Sequence, residues 1–357
     1  MPTYQSTPDF EHGRAESTGI LLVNLGTPEE PTSPAVRRFL KEFLSDPRVI
    51  EYPRWLWWLI LNGIILRIRP SRSAAAYRKI WTDEGSPLMI FSKAIADGIQ
   101  AQLHGAANVE LAMSYGQPSI DAAIDRLLVK GARRLLVLPL YPQYSGTTTA
   151  SVFDAVARKL NGLRWIPELR FINQYHDEQG YIDALAASIR EYWKQQGRGT
   201  RLMLSFHGVP RNTLLKGDPY HCQCQKTARL VAAALELGDD EWILSFQSRV
   251  GREEWLRPYT DETIVEFGQQ GLDRLDVVCP GFSTDCLETL EEIAMQNAEL
   301  FVESGGEALH YIPALNARDD HVRFLADLVE RHLGGWPRSY SADPAQRERA
   351  IAMGVSR

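Results

Sequence analysis

The residues of this chain best suited to move protons or hold a metal ion are one histidine and a short row of carboxylates. The histidine is His207, in Phe206-His-Gly-Val-Pro210. The carboxylates are Asp285, Glu288 and Glu292, which follow Cys279-Pro-Gly-Phe-Ser-Thr284. Their i, i+3, i+7 spacing places the three acids on one helix face. Asp285 and Glu288 fall in the first turn, where the helix dipole favours negative charge. Gly208 and Pro210 set a tight turn beside the histidine. An imidazole titrates near neutrality and accepts protons, and with carboxylates it makes a ligand set for a borderline cation. A plainer reading stands beside this one: a histidine capping a strand end and a solvated acidic helix face. Spacing alone does not separate the two.

Elements must bring these groups together. Apolar runs predict strands at 19–25, 109–113, 133–139, 167–172, 201–206, 242–247, 274–279 and 309–312. Amphipathic stretches predict helices at about 34–45, 88–103, 119–130, 149–160, 178–196, 223–236, 260–270, 285–303 and 317–333. This alternation predicts an α/β fold with parallel sheets covered on both faces. Ligands then bind beyond the carboxyl ends of the strands, where His207 and the acids fall. An internal repeat supports the reading. Pro118, Ile124, Gly131, Arg134 and Val137 recur 140 residues later as Pro258, Ile264, Gly271, Arg274 and Val277. The expected architecture is two similar Rossmann-like, doubly wound domains with a cleft between them. Residues 18–170 form the first and 171–310 the second. A helix in 311–335 packs back on the first domain, and polar tails occupy 1–17 and 336–357.

The remaining features bound the function. A length of 357 residues suits two domains. A net charge of −6 argues against a nucleic-acid partner. Cys222-x-Cys224 lacks a second close pair, so neither a zinc framework nor an Fe–S cluster is expected. Free thiols fit a reducing cytoplasm, and the first 17 residues lack the order of a signal peptide. Leu25-Gly26-Thr27-Pro28 follows the first strand, but its glycine is alone and Pro28 removes an N–H, against a nucleotide loop. Residues 54–69 are apolar, with Trp55, Trp57 and Trp58 near one end and Arg54, Arg67 and Arg69 at the flanks. The run falls short of the ~20 residues that span a bilayer. It suits an apolar lip touching a membrane surface or a large flat ligand; the alternative is a buried helix.

The chain resembles the ferrochelatases over about residues 18 to 334, in the Gram-negative bacterial type. The resemblance rests on Val23-Asn-Leu-Gly-Thr-Pro28, Tyr77-Arg-Lys-Ile with Gly85-Ser-Pro87, and Tyr141-Pro-Gln-Tyr-Ser145. It rests also on Ser205-Phe-His-Gly208, Phe246-Gln-Ser-Arg249 with Trp255, and Gly281-Phe through Asp285-Cys-Leu-Glu-Thr-Leu-Glu-Glu292. It implies insertion of Fe²⁺ into protoporphyrin IX with no organic cofactor. It places the active-site histidine on His207 and the glutamate on Glu288. It places porphyrin contacts near Leu25, Arg69, Tyr77, Ser86, Tyr144, Trp255 and Phe282, and the family's lip on 55–66. Three positions depart from many relatives. Cys286 stands where they have a second histidine, Ser114 where some have an arginine that meets a propionate, and Gln296 where the acidic ladder continues.

The expected chemistry follows from the substrate. Two pyrrole protons must leave a flat ring as the metal enters. A cleft that grips the ring unevenly bends it and raises its lone pairs. His207 is expected to accept a proton and contact the metal. Glu288 is expected to contact the metal and begin a relay, with Glu292 and Asp285 behind it. Two other functions are open. A chelatase for Co²⁺ or Ni²⁺ would take a more carboxylated ring, which the apolar lip disfavours. A two-lobed binding protein would hold porphyrin without turnover. The expected setting is the cytoplasm, with peripheral membrane contact through 54–69.

Overall fold

The computed structural model describes residues 4–7, 11–251, 253–338 and 340–355. Its eight strands are β1 (Ser17–Asn24), β2 (Asn108–Met113), β3 (Ala132–Pro139), β4 (Glu168–Phe171), β5 (Arg201–His207), β6 (Trp242–Gln247), β7 (Arg274–Val278) and β8 (Ala308–Ile312). They make two parallel four-stranded sheets, in the orders β2-β1-β3-β4 and β6-β5-β7-β8. Each sheet is buried on both faces. That is why β1 and β5 are near-continuous apolar runs, with Ile20 to Val23 and Met203 to Phe206 without exposed surface apart from the chain ends.

The two halves repeat one plan. Each has the same strand order. Pro118 and Pro258, 140 residues apart, both follow cis peptide bonds. Gly131 and Gly271 both end a helix at positive φ, +82° and +70°. One continuous apolar core joins the sheets: Ile20 and Leu136 of the first lie in a cluster with Leu204 and Phe206 of the second. Helix Asp319–His332 belongs to that cluster. A side chain at Gly98 or Gly180 would meet its Val322 or Phe324 at 2.7 Å.

Residues 54–80 form one helical run: an α-helix Arg54–Ile60, a π-helical turn Leu61–Ile65, and an α-helix Leu66–Ile80. Asn62-Gly63 does not interrupt it, and Pro70 lies inside it. Its inner face, Leu61, Leu66, Ala74, Tyr77 and Ile80, packs on Val36, Phe39 and Leu40 of helix Ser33–Ser45. Its outer face is uncovered: Trp55 is 71% exposed, Trp58 63% and Ile68 67%. The segment is thus a half-buried amphipathic helix, neither all core nor all lip.

The described residues beyond 335 fold back on the first sheet. Trp336 is buried, donates to Glu168 at 2.7 Å and lies under Arg170. Tyr340 accepts from Arg134, and a short helix runs Pro344–Ala352. At the other end, Gln5 pairs with the backbone of Gly162.

The turn after β1 depends on Gly26. Its φ is +112°, and an added Cβ would lie 1.8 Å from the carbonyl oxygen of Tyr115. Gly26→Ala is expected to lower unfolding free energy by at least about 1–3 kcal/mol, through backbone strain and that overlap. Urea denaturation reads it, and an unchanged midpoint would contradict the account.

Candidate active site

His207 is the last residue of β5 and Gln247 the last of β6, and the strand register pairs them side by side at the carboxyl edge. The Nδ1 of His207 lies 2.6 Å from the carbonyl oxygen of Gly208. A carbonyl only accepts, so Nδ1 carries the hydrogen and the neutral ring keeps its lone pair on Nε2. Gly208 permits close packing there, since a Cβ would meet the carbonyl oxygen of Gln247 at 2.8 Å and the ring of Trp255 at 3.0 Å. The Phe282 ring centroid stands 6.4 Å from that of His207.

The acids lie beyond β7. Glu288–Asn297 is a π-helix that continues as an α-helix, Ala298–Glu303. Hydrogen bonding from i to i+5 is rare and occurs mostly at functional sites. Glu292 is clamped from β6. The Ser248 N–H donates to it at 2.8 Å, the Ser248 hydroxyl donates to its other oxygen, and Gln247 Nε2 donates to the Glu288 carbonyl at 2.8 Å. Ser248 holds this pose at φ +64°, a conformation that non-glycine residues seldom adopt. Burial pushes the Glu292 carboxyl above its ordinary range, and the charge of Glu288 pushes the same way. The Ser248 bond and nearby His207 oppose it. Glu292 is therefore within electrostatic reach of both His207 and Glu288.

Glu288 borders Tyr77 and Cys286. Burial raises the Tyr77 phenol well above its ordinary value and raises the Cys286 thiol likewise; the charge of Glu288 adds to both. Tyr77 belongs to the lip run, so the first half of the chain closes over the acidic helix. Lys79 pairs with Glu291 at 2.7 Å, and Leu287 and Leu290 pack in the lip cluster with Leu25. Ser86 accepts from Thr27 at 2.9 Å, and Thr27 in turn neighbours the Tyr77 phenol. A cavity of about 390 Å³ borders Glu292, lined also by Ser248, Gln296, Glu299, Glu303 and the ion pair of Arg249 with Asp261.

The structure thus gathers His207, Glu288, Glu292, Tyr77, Trp255 and Phe282. Arg69 is exposed on the lip. Tyr144 lies on the loop after β3, its N–H donating to Gln223 at 2.7 Å. Asp285 differs from its expected place on the relay face. It is 4% exposed and its carboxylate accepts from Thr289, Tyr311, Asn316 and the Ala314 N–H. It precedes the π-helix, so helical spacing from Asp285 to Glu292 does not apply. Gln247 and Ser248 escaped sequence reasoning as site residues. They stand in the motif Phe246-Gln-Ser-Arg249, but neither that motif nor a polar pair at a strand end specifies a partner 44 residues away.

Among the described residues, no group of three or more His, Cys, Asp and Glu side chains is arranged to hold a metal ion. His207, Glu288 and Glu292 instead lie beyond the carboxyl edge of the second sheet, beside Tyr77, Trp255 and Phe282. The fold of two parallel-sheet halves is shared by solved chelatases. SirB from Bacillus subtilis, solved with Fe³⁺, superposes with a TM-score of 0.56 at 11% identity, covering 92% of this chain and all of that one. The sirohydrochlorin chelatase SirB of the subspecies spizizenii, in complex with cobalt, gives 0.54, with the same identity and coverage. At that identity the likeness is one of fold. The family model for ferrochelatase matches residues 17–333. Ferrochelatases of Thioalkalivibrio sulfidiphilus and Nitrosococcus oceani are 55% and 54% identical, over 99% of each chain. That of Idiomarina loihiensis is 53% identical over 93%. The chain belongs to the ferrochelatase family, the lyases that insert iron into a porphyrin in haem synthesis.

The raised Glu292 carboxyl fixes a sign. Its folded form holds a proton that the unfolded chain gives up, so its contribution favours folding at low pH and falls as pH rises through its raised value. Wild type is therefore expected to lose stability relative to Glu292→Gln as pH rises from the ordinary carboxylate range toward neutrality. Denaturant midpoints of the two proteins across pH measure this. A constant difference would contradict it.

Proposed function

We propose that this chain inserts Fe²⁺ into protoporphyrin IX with release of two protons, giving protohaem as the terminal step of haem synthesis. The observation that carries the assignment of roles is the placement of Glu292 within electrostatic reach of both His207 and Glu288. The single lone pair of His207 Nε2 contacts the metal in one step and accepts a pyrrole proton in another. Glu288 is the second metal contact and the first relay group, and Glu292 follows it toward the outer acidic cavity. Exchanging two protons for one divalent cation changes no oxidation state, so the step calls for no organic redox cofactor; Fe²⁺ is a substrate. Two protein contacts leave the coordination shell incomplete, which suits delivery rather than retention.

The porphyrin lies against Leu25, Tyr77, Ser86, Tyr144, Trp255 and Phe282. Arg69, exposed and without an ion pair among the described residues, is available to a carboxylate. The uneven grip of aromatic side chains from both domains supports bending of the ring. The apolar outer face of 54–69 favours a ring with few carboxylates and touches a membrane surface from the cytoplasm. No helix among the described residues is long and apolar enough to cross a membrane.

His207→Ala is expected to remove nearly all metal insertion while porphyrin affinity stays within a few-fold of wild type. Glu288→Gln should impair insertion severely and Glu292→Gln less. Anaerobic turnover across a range of Fe²⁺ concentrations, followed by absorbance, measures all three, and near-normal turnover of His207→Ala would end the assignment. Replacing Trp55, Trp58 and Leu59 with Ser should weaken binding to porphyrin or to vesicles with little change in melting temperature, since these side chains are exposed. Each apolar side chain buried in a complex contributes about 1.5–3 kcal/mol. A collapse in melting temperature instead would make them core.

A further inference from the structure

The carboxylate of Asp285 collects donors from two separate parts of the second domain. Thr289, in the first turn of the acidic helix, donates at 3.0 Å. Tyr311 donates at 2.6 Å from the end of β8. Asn316 Nδ2 donates at 2.7 Å and the Ala314 N–H at 3.3 Å, from the loop that follows β8. The Asp285 N–H returns a bond to Asn316 Oδ1 at 2.8 Å. Asn316 is itself fixed: its N–H donates to Ser283 at 2.9 Å, its carbonyl oxygen lies 2.7 Å from His321 Nδ1, and its φ is +48°. Asn is the non-glycine side chain best suited to that conformation. None of the four donors comes from the strand of His207, from Glu292 or from the lip.

We propose that Asp285 is a positioning residue that anchors the first turn of the acidic helix to the loop after β8, and so sets where Glu288 stands relative to His207. It acts through Glu288 and lies outside the path of metal and protons. The inference rests on Glu288 being a metal contact. Groups that orient a metal ligand commonly change metal affinity by about 10–100-fold when lost.

Two variants test it. Asp285→Asn removes the charge and two of the acceptor lone pairs. The double variant Tyr311→Phe, Asn316→Ala keeps the carboxylate and removes two of its donors. Both are expected to raise KM for Fe²⁺ by about 10-fold, to change kcat at saturating Fe²⁺ much less, and to leave KM for porphyrin unchanged. Hydrogen exchange at the amides of 286–292 should be faster in both. A loss of kcat in Asp285→Asn with unchanged KM for Fe²⁺ and unchanged exchange would put the carboxylate in the path itself and overturn the proposal. Wild-type KM and exchange in the double variant would overturn it too, even if Asp285→Asn fails to fold. Faster exchange without a change in KM would break the link to Glu288. Wild-type turnover of Glu288→Gln would instead sink the metal reading, and the exchange measurement would still decide the anchoring.

Discussion

Carboxylates crowded on one helix repel one another, and the surroundings of Glu288, Glu291 and Glu292 hold them together against that repulsion. Each is restrained by a different part of the fold. Glu291 is buried and ion-paired with Lys79 from the lip run. Glu292 is gripped by the backbone and hydroxyl of Ser248 at the end of β6. Glu288, one turn earlier, lies beside Tyr77 and Cys286. A bound cation would relieve that repulsion, and burial would make the relief larger than in water. The parallel register of β5 and β6 sets His207 beside Gln247, whose amide bonds the Glu288 carbonyl.

Duplication explains how one fold serves two tasks. Both halves deliver loops to the carboxyl edge of a sheet with the same strand order. The second half presents His207 and the acids. The first presents apolar and hydroxyl side chains, Leu25, Ser86 and Tyr144, together with the lip. A flat apolar ring placed between them would meet packing surface on one side and proton and metal chemistry on the other. Apolar contacts made far from the reacting nitrogens can then be spent on bending the ring.

Much of this was legible in the residues. All eight strands follow from apolar runs, because parallel strands buried on both faces tolerate little else. The repeat was visible because Pro118 and Gly131 occupy backbone positions that few other residues fill, and so recur as Pro258 and Gly271. The rest depended on partners distant in sequence. The π-helical bonding of Glu288–Asn297 leaves no mark in the residue pattern. The burial of Asp285 is fixed by Tyr311 and Asn316, 26 and 31 residues on, so its acid appeared to belong with its sequence neighbours. Ser248 matters through a backbone conformation, which composition does not reveal. The lip was half legible: its exposed Trp residues were anticipated, but its inner face against helix Ser33–Ser45 required the fold.

The most direct test of the account is to count protons. Under anaerobic conditions, the wild-type protein is mixed with protoporphyrin IX and Fe²⁺ in weak buffer, and absorbance and proton release are followed together. The account predicts catalytic appearance of the iron porphyrin spectrum with two protons released for each iron inserted. Binding of the porphyrin with a spectrum that stays metal-free, and no proton release beyond that of the uncatalysed mixture, would contradict it.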